Sequence, residues 1–136
     1  AKAACHIARG GTPEFIGKKI EKIATFQKPI PQTQEYFIRG SVVHIDSYGN
    51  AITNISKKLF DDIGKKRNFT IGFRNYEVKA LCQTYSDVGD GTNLALFNTG
   101  GNLEIAINRG VEGYGGSASQ LLGLKEDEIV TVTFNK

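Results

Sequence analysis

Three side chains able to handle a small polar molecule stand within one short stretch: the Asp46 carboxylate, the Tyr48 ring and the Asn50 carboxamide. A carboxylate holds an ammonium group through charge-assisted hydrogen bonds. A tyrosine ring beside a turn offers a face for stacking on a flat heterocycle. A carboxamide carries an acceptor and two donors, which suits the edge of a purine. Tyr85 adds a second ring, and Thr99-Gly100-Gly101 presents backbone amides free of bulky side chains, a cradle for a carboxylate. A ligand with an adenine-like end and an amino-acid end would engage all of them. On spacing alone, the same corner reads more readily as a plain β-turn with a packed tyrosine than as a binding site.

Other chemistries are harder to assemble from this chain. His6 and His44 are isolated, and no Cys or carboxylate stands at ligand spacing, so no metal site is expected. His44 on a strand reads as a structural or surface residue rather than a base. No nucleophile elbow or P-loop is present. Gly113-Tyr114-Gly115-Gly116-Ser117 leads into a helix N-terminus and could hold an anion or be a surface loop. Lys65-Lys66-Arg67 reads as a solvated loop rather than a binding patch. A self-contained catalytic apparatus is not visible.

The elements that must position these groups are mostly strands. Val42 to Ile45 alternate with the period of two of a half-buried strand, and Ala51 to Ile55 resume β chemistry after the break. Between them Asp46, Ser47, Gly49 and Asn50 supply turn residues, with Gly49 free to take positive φ. Strands are expected at 36–45, 50–55, 68–74, 76–84, 93–98, 102–108 and 128–135. Hairpin corners fall at Arg74-Asn75-Tyr76 and Thr99-Gly100-Gly101-Asn102. Short strands at close spacing predict a mainly β fold, a small antiparallel β-barrel with one or two short helices. One helix fits 57–63, capped by Ser56 and ended by Gly64. Another fits 118–122, where Ser117 and Gln120 make an S-x-x-Q capping box.

Upstream, residues 1–9 are Ala-rich and stopped by Gly10-Gly11, a helical tail that looks cut from a preceding domain. Thr12-Pro13-Glu14 starts a short helix that Gly17 closes, and residues 24–36 read as an extended linker. The expected organisation is therefore 1–35 as domain end and linker and 36–136 as barrel. At 136 residues and 40% hydrophobic content the chain can build its own core. A net charge of +3 and a pI near 8.9 are too weakly basic to argue for nucleic acid. Cys5 and Cys82 form no disulfide framework and suit a reducing cytosol, and no apolar run is long enough for a membrane. A cytoplasmic location is the expectation. The chain contains no Met, which points to a piece of a longer parent.

At these residues a resemblance enters. Ile45-Asp46-Ser47-Tyr48-Gly49-Asn50 followed by Thr53-Asn54-Ile55 resembles the "IDxFGNxxTNI" motif of the S-adenosylmethionine hydroxide adenosyltransferases, relatives of fluorinase and chlorinase. Asn98 to Asn108 is similar to their "NSxGxLEIAVN", and Ser117-Ala118 before Leu121-Leu122-Gly123 to their "GNAAxLLG". Ala3 to Gly10 resembles "PAAAHLARG", which closes the family's N-terminal domain. The match runs through nearly the whole chain in the right order.

The resemblance implies an α/β N-terminal domain missing from this chain, a C-terminal β-barrel and a homotrimer. S-adenosylmethionine would lie between the N-domain of one subunit and the C-domain of the next, and water or hydroxide would displace at C5′ to give adenosine and methionine. Carried over by position, Asp46 takes the methionine ammonium, Tyr48 and Tyr85 wall the adenine, and Asn50 bonds its edge. Thr99 with Gly100 lies near the methionine carboxylate, and the Ser117–Ala118 backbone pairs with adenine. No cofactor is implied beyond the substrate. Tyr48 replaces a family Phe, and Thr99-Gly100-Gly101 lacks the arginine of the halogenases, which favours water over halide. The loop from Arg109 to Gly116 is longer than the family norm. The Asp, Arg and His that activate water belong to the absent domain, so this chain alone is expected to be inactive. A different class of reading is a non-catalytic barrel that binds nucleotides or single-stranded nucleic acid through Tyr48, Tyr85 and Lys65 to Arg67; a third is an assembly domain without a small ligand.

Overall fold

Strand after strand places β-branched residues on one face, and the sheet they build is closed almost into a barrel. A computed structural model describes residues 2–24, 29–110 and 116–136. The strands are β1 (Gln32–Gln34), β2 (Phe37–Ile45), β3 (Ala51–Ser56), β4 (Phe69–Phe73), β5 (Tyr76–Val78), β6 (Asn93–Phe97), β7 (Asn102–Ile107) and β8 (Ile129–Phe134). The helices are α1 (Lys2–Ala8), α2 (Lys57–Gly64) and α3 (Ala118–Leu121), with 3-10 turns at Pro13–Phe15 and Tyr85–Asp87. The sheet runs β5-β4-β8-β2-β3-β7-β6, antiparallel throughout, with β1 paired to β2. Its two ends approach where Cys82, beyond β5, makes a parallel bridge to Leu96 of β6. The Cys82 amide donates to the Ala95 carbonyl there at 2.8 Å.

The core lies inside this curl. Ala51 and Ile55 of β3, Leu103, Ile105 and Ile107 of β7, and Val130, Val132 and Phe134 of β8 all face inward and are buried. Phe60 of α2 closes one end, meeting Phe69, Phe97 and Phe134 edge-on at centroid distances of 5.0, 5.4 and 5.1 Å. A smaller cluster sits outside the sheet, where Leu94, Leu96 and Ala106 are covered by Cys82 and Val88.

Several expectations are corrected. Residues 24–36 hold β1, which pairs Gln32 with Arg39. The Asn54 carboxamide donates to the Pro29 carbonyl at 2.8 Å and pins this stretch to the barrel. The strand expected at 76–84 stops at Val78, because the chain crosses there to cover the outer faces of β6 and β7. The alternation over 42–45 is broken by a bulge between Val42 and His44, which leaves Val43 and His44 both exposed. Gly64 does not take the left-handed turn that ends α2; Lys65 does, at φ 47°. Gly64 is small for another reason, since a Cβ there would stand 2.7 Å from the Phe134 ring.

Arg67 is likewise structural. Its guanidinium donates to the Ile63 and Gly64 carbonyls that α2 leaves open, and it lies 4.6 Å from the Tyr36 ring centre. The other helix, α3, begins as expected after Ser117, whose amide donates to Gln120 Oε1 at 3.4 Å. No residue of α1 is buried, and Phe15, Ile20 and Ile23 downstream of it are exposed. Among the described residues no helix is long and apolar enough to cross a membrane.

Candidate functional site

The corner between β2 and β3 is built by its own polar groups. The Asp46 amide donates to the Asn50 carbonyl at 3.1 Å, and the Gly49 amide to the Asp46 carbonyl at 3.0 Å. The Asp46 carboxylate turns back on the loop: Oδ1 accepts from the amides of Tyr48 and Asn50, each at 2.9 Å, and Oδ2 from Asn50 Nδ2 at 3.1 Å. Gly49 stands at φ 79°, and its carbonyl accepts from the Ser119 amide at 2.9 Å, which docks α3 beneath the corner. Asn50 is buried, whereas the Tyr48 ring is held out at 63% exposure.

Asp46, Tyr48 and Asn50 share one cavity of about 340 Å³ with Tyr85, Ile107, Arg109 and Gly110. Tyr85 comes from a distant stretch, and the turn that carries it is held by one acid. The Asp87 carboxylate accepts from the amides of Gln83 and Thr84, at 2.7 and 3.0 Å, and from the Thr84 hydroxyl at 2.8 Å. These bonds, those from Thr84 foremost, hold the Asp87 carboxyl below the usual carboxylate range. A depressed folded-state value means that this stabilisation is present above the unfolded value near 4 and is lost as pH falls through the folded one. The melting-temperature gap between the protein and Asp87→Ala is therefore expected to be constant at neutral pH and to close only as pH falls below the unfolded value near 4. A gap independent of pH would show that the carboxylate charge does not hold the turn.

The Tyr85 ring borders a second cavity, of about 590 Å³, lined also by Ile52, Asn98, Thr99, Gly100 and Glu104. Its phenol donates to Glu104 Oε1 at 2.5 Å. Burial first, and then Glu104 and Asp46, push its ionisation well above the ordinary tyrosine value. The hairpin that bears Thr99 is closed by Asn98, whose side-chain Oδ1 accepts from the Asn102 amide at 3.1 Å, and by Gly101 at φ 75°. The two cavities follow the outer side of β3 and β7, from the corner at Ala51 to the hairpin beside Ser56. That is about 17 Å of strand.

Of the residues singled out by sequence, the structure brings Asp46, Tyr48, Asn50 and Tyr85 around one cavity, and Thr99 and Gly100 around its neighbour across Tyr85. Ser117 and Ala118 line neither. Both are fully buried under the corner, with Ser117 packed against Gly49. Ile107, Arg109 and Gly110 escaped the sequence reading. Their signal is the pairing of Ala51 with Ile105, which sets the end of β7 beside the corner. Arg109 stands at φ 55° and pairs with Asp90 at 3.1 Å. His44 is on the surface, 3.8 Å from Glu126. The longer loop and the Gly-rich segment fall largely on residues 111–115, outside the described residues.

A nearly closed antiparallel sheet with a polar corner and an aromatic ring on its outer side defines a mainly β barrel domain. Residues 40–131 match the model of the SAM hydroxide adenosyltransferase C-terminal domain, and the chain belongs to that family. It is 32% identical over 126 residues to a (R)-S-adenosyl-L-methionine hydrolase of Thermus thermophilus, covering 93% of this chain and 43% of that protein. The chain thus spans less than half the length of this relative. Among solved structures it resembles an uncharacterized conserved protein from Thermotoga maritima, with a TM-score of 0.70 and 27% identity over 96% of this chain and 48% of the other. A conserved hypothetical protein from Thermus thermophilus matches with a TM-score of 0.60 and 29% identity, over 96% and 49%.

Proposed function

We propose that this chain is the substrate-binding half of an enzyme that cleaves S-adenosylmethionine with water to adenosine and methionine. The observation that carries this reading is the cavity shared by Asp46, Tyr48, Asn50 and Tyr85, with a second cavity, bordered by Thr99 and Gly100, on the other side of Tyr85. Adenine lies between the Tyr48 and Tyr85 rings. Asn50 spends one N–H on Asp46, so its second N–H and its Oδ1 are left for the purine edge. The Asp46 carboxylate, already oriented by the turn, supplies negative charge for the ammonium group. The amides at Thr99 and Gly100 face the substrate carboxylate, and Ser117 and Ala118 brace the corner from below rather than pairing with adenine.

Displacement at C5′ needs a positioned nucleophile and a dry pocket. The residues here supply positioning; the groups that activate water come from an α/β domain outside this chain, contributed by a neighbouring subunit of a cytoplasmic homotrimer. The chain alone then binds without turnover. The name of the Thermus relative makes the R sulfonium epimer the first substrate to try.

The test is a thermal-shift and calorimetric titration of the 136-residue chain with adenosine and with each epimer of S-adenosylmethionine, paired with an adenosine-release assay. Binding without release is expected, and Tyr48→Ala is expected to weaken adenosine about tenfold, as loss of one stacking face does. Adenosine production by this chain would place the catalytic groups here instead. Salt-steep binding of an oligonucleotide with no adenosine effect would turn the assignment to a nucleic-acid module. Absence of any ligand effect would leave an assembly domain.

A further inference from the structure

Glu104 is the single buried acidic side chain among the described residues, at 3% exposure. Its neighbours on β7, Leu103 and Ile105, face the barrel core, so Glu104 faces the outer side, under the stretch that carries Tyr85. No described Lys, Arg or His pairs with it. Burying a carboxylate without a cation works against stability unless hydrogen bonds compensate. Its side-chain partner is the Tyr85 hydroxyl. The Tyr85 ring is thus held at both ends: its backbone by the turn that Asp87 ties, its hydroxyl by Glu104.

We infer that Glu104 is a positioning residue: by gripping the Tyr85 hydroxyl, it fixes the ring as the wall between the two cavities. Freed from Glu104, the phenol follows solvent and the partition between the cavities is lost. With the ring fixed, the cavity of Asp46, Tyr48 and Asn50 and the cavity of Thr99 and Gly100 are both preformed, and no ring ordering is needed on binding. This rests on the reading of the site as one for S-adenosylmethionine, and one arm of its test does not.

That arm follows the five tyrosines by carbon-13 NMR of protein labelled at the phenolic carbon, with Tyr85→Phe identifying the Tyr85 resonance. The carboxylates facing the phenol are Glu104 and Asp46. In the protein Tyr85 is expected to keep its proton well above the ordinary tyrosine value, although part of the residue is exposed. In Glu104→Gln and Glu104→Leu it is expected to ionise at lower pH. An unchanged Tyr85 titration in both variants overturns the inference whatever the ligand proves to be. If Glu104→Leu does not fold, Glu104→Gln decides this arm alone.

The second arm measures affinity for S-adenosylmethionine. Glu104→Leu and Tyr85→Phe are each expected to weaken it about fivefold, the double variant no more than either, and Glu104→Gln to restore most of the loss, since its amide oxygen still accepts the phenol. Additive losses would overturn the coupling. If the unsubstituted chain binds neither S-adenosylmethionine nor adenosine, the proposed function fails, while the titration still decides whether Glu104 holds Tyr85.

Discussion

Gly49→Ala is expected to lower the melting temperature by on the order of 10 °C and to abolish the adenosine protection proposed for this corner. Two independent costs meet at this position. A left-handed φ of 79° costs a residue with a Cβ about 1–2 kcal/mol. The added carbon would also stand 2.2 Å from Ser117 Oγ and 2.3 Å from its Cβ. Ser117 has nowhere to go: it is fully buried, it caps α3, and its hydroxyl is 2.9 Å from that of Ser119. Overpacking of this kind adds about 1–3 kcal/mol. Pairing the change with Ser117→Gly is expected to recover the steric part and leave the backbone part. A variant that melts with the parent would mean the corner shifts freely, and the rigid presentation of Asp46, Tyr48 and Asn50 would no longer stand.

Phe60→Ala is the second large effect, a loss of about 3–5 kcal/mol in urea denaturation. The ring is nearly buried and touches three other rings edge-on, so removing it leaves a hole that Phe69, Phe97 and Phe134 surround from different elements. Collapse into that hole would require β4, β6 and β8 to move together, which their pairing resists. Phe60→Leu, which keeps most of the volume, is expected to cost less than half as much. A small and equal effect of both would show that α2 does not close the barrel.

Where residues act locally, their roles could be read from the chain. The turn chemistry of Asp46 to Asn50, the hairpins at Arg74 and Thr99, and the helix starts at Ser56 and Ser117 all depend on neighbours a few residues away, and the structure has them where spacing places them. Legibility ended where a role is set across the sheet. Glu104 looks like one polar residue in an apolar strand until residues 82–88 fold over it. Gly64 resembles a helix stop because nothing near it in the chain announces the Phe134 ring. Ser117, carried over by motif as a ligand contact, lies under Gly49 because α3 docks on the corner. β1 was masked by Pro29 and Pro31, whose linker signal outweighs three polar strand residues.

The curled sheet is fastened along its last seam by a lone parallel rung, Cys82 to Leu96, among the described residues. Every other junction is zipped by a run of paired residues, so the least costly way to unfasten the cylinder is at that rung. Tyr85 rides three positions beyond it. Loosening the seam and moving the aromatic partition are consequently one event, and whatever clamps Tyr85 from outside also buttons the cylinder shut.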